Sequence, residues 1–458
     1  MRFFKYTGFF ILFFLLSPLI YGLTLDLKGA IETGLKHNRS LQLARERVKA
    51  AQAEVGMARS SFYPTIEGSL NYTYMGVIPT AEMMAMGLVM PDPTDPFYHY
   101  HTLESAKLEM ARRHNWGGGV TVTQPLFMWG RLINAYNLAS MNLEAEEQNF
   151  KKQQIQTIYD IKEAFYSYLV SIKRVALLED QYQQLEENVK SAKINYGSGL
   201  FSKYDLMDME VRLANMEPAL KQAKDGLQLA MDRLKTTLGY DKDDLQIKDE
   251  LEYTKIDLDF TKTRQVFLQK NPDLISARLG KRISEKSLSL SRAANKPTLM
   301  GIFDYNYTYI PEGSETFGSS EPHSWTVTVA LSIPISEWLP WSKTSRDIDK
   351  SKALLNQADL GYEQLKDSLQ IQLKQIILDL GAQYQLIESQ KQNVEKARQT
   401  YEFRKKQYKS GLIRNTDLLG SQVALKDAET NYLNTAFNYI MAKARLDLLL
   451  GNVNKEKF

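Results

Sequence analysis

The stretch Tyr196-Gly197-Ser198-Gly199-Leu200 returns later in the chain as Tyr408-Lys409-Ser410-Gly411-Leu412, at an offset of 212 positions. Two dipeptides that follow the first stretch recur at the same offset. Asp205-Leu206 matches Asp417-Leu418, and Leu238-Gly239 matches Leu450-Gly451. A constant register over this many residues is the mark of an internal repeat, so we predict that the chain holds two copies of one structural unit.

A second register extends the repeat toward the N-terminus. Asn38 and Pro64 match Asn271 and Pro297 at an offset of 233, and the extra residues of the first copy fall mainly in 75–115. We therefore predict five segments: a signal peptide over 1–22, a first repeat over 23–240 with a β-hairpin at 65–124, a linker over 241–257, a second repeat over 258–451 with a β-hairpin at 298–334, and a C-terminal tail over 452–458.

The N-terminus has the pattern of a secretory signal peptide. Basic Arg2 and Lys5 precede an apolar run from Phe9 to Ile20, and the small residue Gly22 offers a cleavage point. The run is shorter than the roughly 20 residues that a membrane-spanning helix needs. We expect an exported protein, and the alternative is an uncleaved membrane anchor.

Composition excludes several classes of function. The 458 residues carry a formal net charge of only +3, which gives no reason to expect nucleic-acid binding. The chain has no cysteine, so disulfides, thiolate metal sites and cysteine nucleophiles are excluded. With five histidines and no nucleotide-binding glycine loop or nucleophile elbow, we predict neither an enzyme nor a cofactor.

Four stretches alternate apolar and polar residues at period two, which is typical of strands with two different faces. Thr65–Met75 and Trp116–Thr123 form one predicted hairpin, and the residues around Phe303–Tyr309 and Trp325–Ile333 form the other. Prolines mark the junctions between helical stretches and strands, because proline neither donates to a ladder nor continues a helix inward. These junction prolines are Pro64, Pro125, Pro297 and Pro334.

The longest segments are predicted helices, over Arg131–Tyr196 and Trp341–Ser410, because both lack proline and are rich in helix-forming residues. Their apolar residues recur in three-four steps, which indicates coiled-coil packing with left-handed supercoiling. Charged residues interrupt this stripe at matching places in both copies, and we predict a loosely sealed seam that can slide. The interrupting residues are Glu179, Glu186 and Lys193 in the first copy, and Lys391, Arg398 and Lys405 in the second.

Four two-faced strands are too few to close a barrel, since even small barrels need about eight. An open sheet leaves unpaired edges that lipid does not tolerate, so the chain needs copies of itself. The alternative is a soluble sandwich with exposed aromatic residues. The predicted membrane aromatic belt consists of Tyr72, Tyr74, Trp116, Phe127, Trp129, Tyr305, Tyr307, Tyr309 and Trp325.

Several motifs occur in the same order in both copies. They are Asn271-Pro272-Asp273-Leu274, Gln124-Pro125-Leu126-Phe127 followed by Gly130, the Tyr-x-x-Gly turns at Tyr196 and Tyr408, and the terminal Leu-Gly of each repeat. In these motifs the chain resembles the outer membrane efflux protein (TolC) family over nearly all of its length. Two departures, Arg39 in place of a proline and Leu339 in place of a glycine, are expected to change only the local junctions.

The resemblance implies a mainly α-helical fold with a small β part: a homotrimer with a 12-stranded β-barrel in the outer membrane, continued by a coiled-coil α-helical barrel across the periplasm of a Gram-negative bacterium. It implies a passive exit duct of a tripartite efflux or type I secretion system, with a periplasmic adaptor (membrane fusion protein) and an inner-membrane pump as partners. In this family the duct opens when inner coiled coils untwist at the periplasmic end.

That end lies at the turns matched by 197–202 and 410–415, where adaptor hairpins dock. The resemblance therefore implies adaptor contacts at Gly197, Gly199, Leu200, Gly411 and Leu412.

Family members also narrow the closed entrance with rings of aspartate. Asp417 matches one such position, whereas the next position is Gly420; the first repeat instead has Asp205 and Asp208. We hypothesise that an acidic ring at Asp417, aided by Asp205 and Asp208, makes the pore prefer cations. The alternative is that Asp205 and Asp417 cap the returning helices.

Residues 75–115 hold several methionines and histidines, which are ligands that suit Cu(I) or Ag(I). The alternative for this segment is an extracellular loop that partly plugs the barrel mouth.

For the whole chain, a non-conducting periplasmic coiled-coil protein or an adaptor subunit is the rival interpretation. A coiled-coil protein would not account for the four two-faced strands. An adaptor needs one hairpin with compact β domains, and the duplication of the whole chain argues against that organisation.

Overall fold

Runs rich in Ala, Leu, Lys, Glu and Gln form helices, as their intrinsic propensity favours. The computed structural model describes residues 23–77, 80–84, 105–109, 114–199, 202–240, 245–247, 249–309, 322–410 and 412–452. The helices in these ranges are α1 (Leu27–His37), α2 (Arg39–Ser60), α3 (Arg131–Gly197), α4 (Lys203–Leu238), α5 (Phe260–Lys270), α6 (Pro272–Ala293), α7 (Lys343–Lys409) and α8 (Asn415–Leu449). The helices α3 and α7 hold 67 residues each.

The strands fall where the alternating pattern predicts them, with additions. They are β1 (Leu23–Leu25), β2 (Thr65–Tyr74), β3 (Thr80–Met84), β4 (Ser105–Glu109), β5 (His114–Phe127), β6 (Leu245–Ile247), β7 (Thr298–Tyr309) and β8 (His323–Ser332). The four predicted strands form one antiparallel sheet in the order β2–β5–β7–β8. Two small pairs were not predicted: β1 parallel with β6, and β3 antiparallel with β4 inside the long segment between β2 and β5.

The register of the sheet gathers apolar residues on one face and polar residues on the other. Along one row Ile66 lies opposite Val122, which lies opposite Phe303, which lies opposite Val327. The neighbouring row places polar side chains together on the second face. Because neighbouring residues of a strand point to opposite faces, the whole sheet is two-faced.

The prolines keep three of their four predicted positions. Pro64 and Pro297 directly precede β2 and β7, and Pro334 follows β8 and precedes a short 3₁₀ helix, Ile335–Trp338. Pro125 is a correction, because it lies inside β5 rather than at its junction. The pairing of β5 with β7 shifts register between Pro125 and Phe127, as expected where a residue without an N–H interrupts a ladder.

Each repeat interrupts its N-terminal helical stretch at an asparagine. The Asn38 side chain accepts a hydrogen bond from Leu41 N at 3.0 Å and donates to Thr237 O at 2.8 Å. The Asn271 side chain does the same with Leu274 N at 2.9 Å and Leu449 O at 2.8 Å. Each asparagine therefore caps one helix and ties it to the end of another.

The predicted inner stripe of the long helices is largely buried. Ile161 and Phe165 in α3, and Leu373 and Ile387 in α7, have no exposed surface. Three of the six charged interruptions make ion pairs with the neighbouring antiparallel helix: Glu179 with Lys224 at 2.7 Å, Lys193 with Glu210 at 3.1 Å, and Arg398 with Glu429 at 3.2 Å. The seam is therefore bridged at these three polar positions, and sliding along it stays a prediction.

The chain forms two compact units, and each draws on both repeats. One comprises 1–49, 145–278 and 360–458, and the other comprises 50–144 and 279–359. The boundaries of the predicted repeats stay a prediction.

Among the described helices, none is both long enough and apolar enough to cross a membrane. The predicted signal peptide and C-terminal tail lie outside the described residues, except for Asn452.

Candidate functional site

The predicted aromatic belt lies on the apolar face of the four-stranded sheet and just beyond its end. Tyr72 and Trp116 face each other across strands β2 and β5, with ring centroids 4.6 Å apart. Phe127 and Trp129 contact each other at the other end of β5, at 5.1 Å. The described belt side chains are all exposed, from 40% for Tyr305 to 67% for Trp325: Tyr72, Tyr74, Trp116, Phe127, Trp129, Tyr305, Tyr307 and Trp325. Tyr309 lies opposite Trp116 in the register, and its side chain lies outside the described residues.

Three further residues of this kind were missed by the sequence reading. His114 accepts or donates a hydrogen bond with the Tyr72 hydroxyl at 2.7 Å, and its ring lies 5.2 Å from that of Tyr74. Trp338 and Trp341 follow β8 and are 54% and 74% exposed. Both tryptophans come shortly after Pro334, the junction proline that follows the last strand, and this position could have indicated that they belong to the belt.

The polar face carries an acidic row. Glu67 lies opposite Thr121, Thr121 opposite Asp304, and Asp304 opposite Thr326. The Thr121 hydroxyl donates to Asp304 Oδ1 at 2.7 Å. Glu67 and Asp304 are the only Asp, Glu, Lys or Arg residues in β2, β5, β7 and β8, so the face is polar with a net negative charge.

The turns predicted to contact an adaptor are only partly described. Gly199 has a φ of +73°, the left-handed region that favours glycine, and a side chain there would meet no atom within 4 Å. Gly197 ends α3, and Leu412 is 73% exposed. Leu200 and Gly411 lie outside the described residues. The described part of both turns is therefore open to a partner.

The three candidate gate acids all contact residues of their own chain. Ser202 caps α4 by accepting from Asp205 N at 3.1 Å, and its hydroxyl donates to Asp205 Oδ2 at 2.6 Å. Ser202 is therefore the cap of α4, and Asp205 in the first turn holds the capping hydroxyl, so Asp205 supports the helix end without capping it directly. Asp208 pairs with Arg212 at 2.8 Å.

Asp417 differs from Asp205. It lies in the first turn of α8, but no side chain caps that helix, whose N-cap residue is Arg414. Arg404 donates to the Asp417 carbonyl oxygen at 3.1 Å and lies 3.8 Å from the carboxylate, which keeps half of its surface exposed. Of the three acids, Asp417 therefore remains the one most available to a pore.

A polar network joins three helices at about two to five helical turns from these loops. Lys426 of α8 donates to Asp180 of α3 at 2.8 Å, and Gln422 donates to Gln184 Oε1 at 2.7 Å. Tyr401 of α7 donates to the same Gln184 oxygen at 3.3 Å. The hydrogen bond from Lys426 holds the pKa of Asp180 below its ordinary value. The network ties the long helix of the first repeat to both long helices of the second.

The two interpretations of the Met- and His-containing segment, an extracellular loop and a soft-metal site, both stay untested. Most of 75–115 lies outside the described residues, as do the side chains of Met83 and Met84. Within the described residues, no group of three or more His, Asp or Glu side chains is arranged to hold a metal ion.

Comparison with known proteins shows the family of the chain. The family model for outer membrane efflux proteins matches residues 30–240 and 263–452, and the chain belongs to that family. Its location is therefore the outer membrane, and the family is one of channel proteins and not of enzymes.

The individual relatives are distant. The chain is 18% identical over 350 residues to outer membrane protein TolC of Vibrio cholerae, covering 74% of this chain and 77% of the relative. The crystal structure of the Campylobacter jejuni CmeC outer membrane channel matches with a TM-score of 0.76 at 16% identity, covering 94% of this chain and 87% of that one. The outer membrane protein VceC of Vibrio cholerae matches with a TM-score of 0.72 at 16% identity, covering 93% and 96%. These structures share the fold.

Proposed function

We propose that the protein is a homotrimeric exit duct whose sheets join into a 12-stranded β-barrel in the outer membrane. The observation that carries the proposal is the two-faced sheet with β2 and β8 at its open edges. In lipid an unpaired strand edge costs several kcal/mol for each unsatisfied backbone group, so the edges must be paired by other copies. Three copies give a barrel whose polar face, with Glu67 and Asp304, lines a water-filled pore.

We propose further that α3, α4, α7 and α8 extend this pore as an α-helical barrel across the periplasm. The duct is passive and receives its substrates from an inner-membrane pump through a periplasmic adaptor, in a tripartite efflux or type I secretion system. Membership of the outer membrane efflux family supports this role. The adaptor contacts the turns at Gly197, Gly199, Leu200, Gly411 and Leu412.

The periplasmic end is the proposed gate. Asp417 of each copy contributes to an acidic ring that favours cations, with Asp205 and Asp208 nearby. Opening requires the long helices to separate there, and the network of Asp180, Lys426 and their neighbours opposes that separation.

Reconstitution of the purified protein in planar bilayers tests the proposal. We expect a trimer by native mass spectrometry and discrete, cation-selective conductance steps. A folded protein that inserts into no bilayer and stays monomeric would instead favour the non-conducting periplasmic coiled-coil or adaptor interpretation.

A further inference from the structure

The four segments that connect the sheet to the helices lie at one end of the sheet. Phe127, at the end of β5, is opposite Leu299 near the start of β7. Ser332, at the end of β8, is opposite the first residue of β7. The Gln124 side chain donates to Phe62 O at 3.1 Å, which adds the segment before β2. We call these segments the junction collar: residues 57–64, 127–131, 291–297 and 333–346.

The junction collar is basic. Its one acidic residue is Glu337, whose carboxylate accepts a hydrogen bond from Thr344 N at 3.1 Å. Arg346 pairs with Asp349 at 3.6 Å, and no other cation of the collar forms an ion pair with a residue that the structure describes. All six cations have exposed side chains: Arg59, Arg131, Arg292, Lys296, Lys343 and Arg346. Such a patch attracts anions from outside the chain.

The sequence at the other end of the sheet has the opposite charge. The two segments that connect the strands there, 75–113 and 310–322, together hold eight acidic and three basic residues. The four strands between the two ends carry only Glu67 and Asp304. The sheet therefore has a basic end and an acidic end, and in a membrane the basic end meets one leaflet only.

A tryptophan and a cation recur two residues apart where each long helix starts. Trp129 and Arg131 match Trp341 and Lys343 at the offset of 212 that relates α3 to α7. The tryptophans are 51% and 74% exposed. Trp129 has a φ of +48°, which is uncommon for a bulky residue, and its ring contacts Phe127 at the end of the apolar sheet face. Because tryptophan prefers the boundary between hydrocarbon and headgroups, each pair places its cation at headgroup level.

The long helices themselves give no reason for a cation at these positions. Arg131 and Lys343 are the first residues of α3 and α7, and neither helix has an acidic residue in its first turn. The helix dipole disfavours a positive charge at this end of a helix. An anion from outside the chain would give both side chains a favourable partner.

We propose that the junction collar binds the phosphate headgroups of anionic phospholipids in the inner leaflet of the outer membrane. Trp129 and Trp341 lie at the edge of the hydrocarbon, and Arg131 and Lys343 pair with the phosphates. The collar meets the inner leaflet because the helices that we propose to cross the periplasm start from it. This inference rests on the proposed barrel and adds the class of lipid that it binds. Lipid A in the outer leaflet also carries phosphates and is the alternative source.

Native mass spectrometry of the purified protein tests the proposal. Phosphatidylglycerol, zwitterionic phosphatidylcholine and lipid A are added in turn to the protein in neutral detergent. We expect tighter binding of phosphatidylglycerol than of phosphatidylcholine. Each cation near a lipid surface contributes about fivefold in affinity, so Arg131→Gln with Lys343→Gln should bind phosphatidylglycerol roughly twentyfold more weakly.

Lys190→Gln with Lys396→Gln is the matched control. Both lysines are exposed, lie far from the collar on the same two helices, and remove the same charge. We expect this control to bind phosphatidylglycerol as the natural chain does.

Four outcomes would contradict the inference or the proposed function. Equal affinity for phosphatidylglycerol and phosphatidylcholine, or an equal loss in the control, overturns the inference. A collar variant that loses lipid A and keeps phosphatidylglycerol assigns the collar to the outer leaflet and also overturns it. Either result with a trimer leaves the proposed function standing. A monomer that keeps the preference for phosphatidylglycerol overturns the proposed trimer and leaves lipid binding by the collar standing.

Thermal unfolding separates lipid binding from a structural role of the two cations. In neutral detergent, Arg131→Gln with Lys343→Gln should unfold at the same temperature as the natural chain or higher, because it removes cations from helix N-termini. Adding phosphatidylglycerol to phosphatidylcholine vesicles should stabilise the natural chain more than the double variant. A double variant that is already less stable in neutral detergent, or that gains as much from phosphatidylglycerol, contradicts the proposal.

Discussion

Two asparagines join helices by the same pair of hydrogen bonds, but they differ in burial. Asn271 is 1% exposed, whereas Asn38 is half-buried. Asn271→Ala removes a helix cap and leaves the Leu449 carbonyl oxygen without its donor, so we expect a loss of about 2–4 kcal/mol of stability. Asn38→Ala is expected to cost less, since water can replace the lost hydrogen bonds.

Thermal unfolding of the protein in detergent, followed by circular dichroism, measures both losses. Asn393→Ala is the control, because Asn393 is exposed and bonds only a residue one turn away on its own helix. An equal loss for Asn271→Ala and Asn393→Ala would contradict the role assigned to Asn271.

The Asp417 carboxylate is the proposed source of cation selectivity at the gate. Asp417→Asn keeps the size of the side chain and removes its charge, so we expect a lower ratio of potassium to chloride permeability in planar bilayers. Part of the preference is expected to persist, because Glu67 and Asp304 stay on the polar face of the sheet.

Asp349→Asn is the matched control for Asp417→Asn. Asp349 is an exposed aspartate near the start of α7, at the end of that helix away from the turns, and it pairs with Lys352 at 3.4 Å. An unchanged permeability ratio in Asp417→Asn, or an equal fall in Asp349→Asn, would argue against the ring at Asp417.

Single residues show what the sequence made visible and what it did not. The repeat aligned Asn38 with Asn271, and Gly239 with Gly451. It did not indicate that each asparagine bonds the last turn of the helix that ends just before the glycine of the same repeat. In the structure both glycines have positive φ and lie so close to a backbone carbonyl that a side chain would clash, with His37 O and Lys270 O respectively. Such approaches depend on packing between distant segments, which local pattern does not encode.

The two faces of β8 predict opposite responses to the same substitution. Val327 lies on the apolar face opposite Phe303, and its neighbour Thr326 lies on the polar face opposite Asp304. Val327→Lys places a charge against lipid, at a cost of about 2–4 kcal/mol near the middle of a bilayer. Thr326→Lys places the same charge in water beside a carboxylate and is expected to be tolerated.

Recovery of folded trimer from the outer membrane fraction compares these two variants. Each differs from the natural chain by one lysine, in the same strand and at adjacent positions. Similar recovery of both would show that the apolar face does not meet lipid.

Lys426 links α8 to α3 and is the central cation of the polar network. Its side chain is 13% exposed, whereas that of Asp180 is 53% exposed. The pair therefore lies between a buried and a surface ion pair, and we expect Lys426→Met to cost about 1–2 kcal/mol. Hydrogen exchange near residue 180 measures the loosening. Lys366→Met is the control, since Lys366 pairs with Glu363 on its own helix.

The same pair predicts a pH dependence. The pKa of Asp180 is lowered from its ordinary value of 3.8, chiefly by the hydrogen bond from Lys426. The charged carboxylate therefore contributes stability in full above pH 3.8, and this share is lost as the pH falls through the lowered pKa. Thermal unfolding at about pH 5 and about pH 2.5 should show a smaller difference in Lys426→Met than in the natural chain. An equal difference would contradict the link.

Elements with a strong period were predictable, and short or irregular ones were not. The long helices α3 and α7 and the four strands of the sheet follow from their 3.5- and two-residue patterns. The three-residue strands β1 and β6 are too short to show a period, and they exist because distant segments meet. The return from sheet to helix also differs between repeats: Gly130 has a φ of +75°, whereas Leu339 is extended after a short 3₁₀ helix.

The two repeats are joined inside the chain, where α3 packs against α8. There the Lys162–Asp447 pair leaves only 8% of the lysine side chain exposed. The sheet, in contrast, ends in the edge strands β2 and β8, and our proposal is that further copies of the chain pair with these edges. The need for assembly was therefore predictable from the number of strands, whereas the strand order that places β2 and β8 at the edges depends on pairing between distant segments and required the structure.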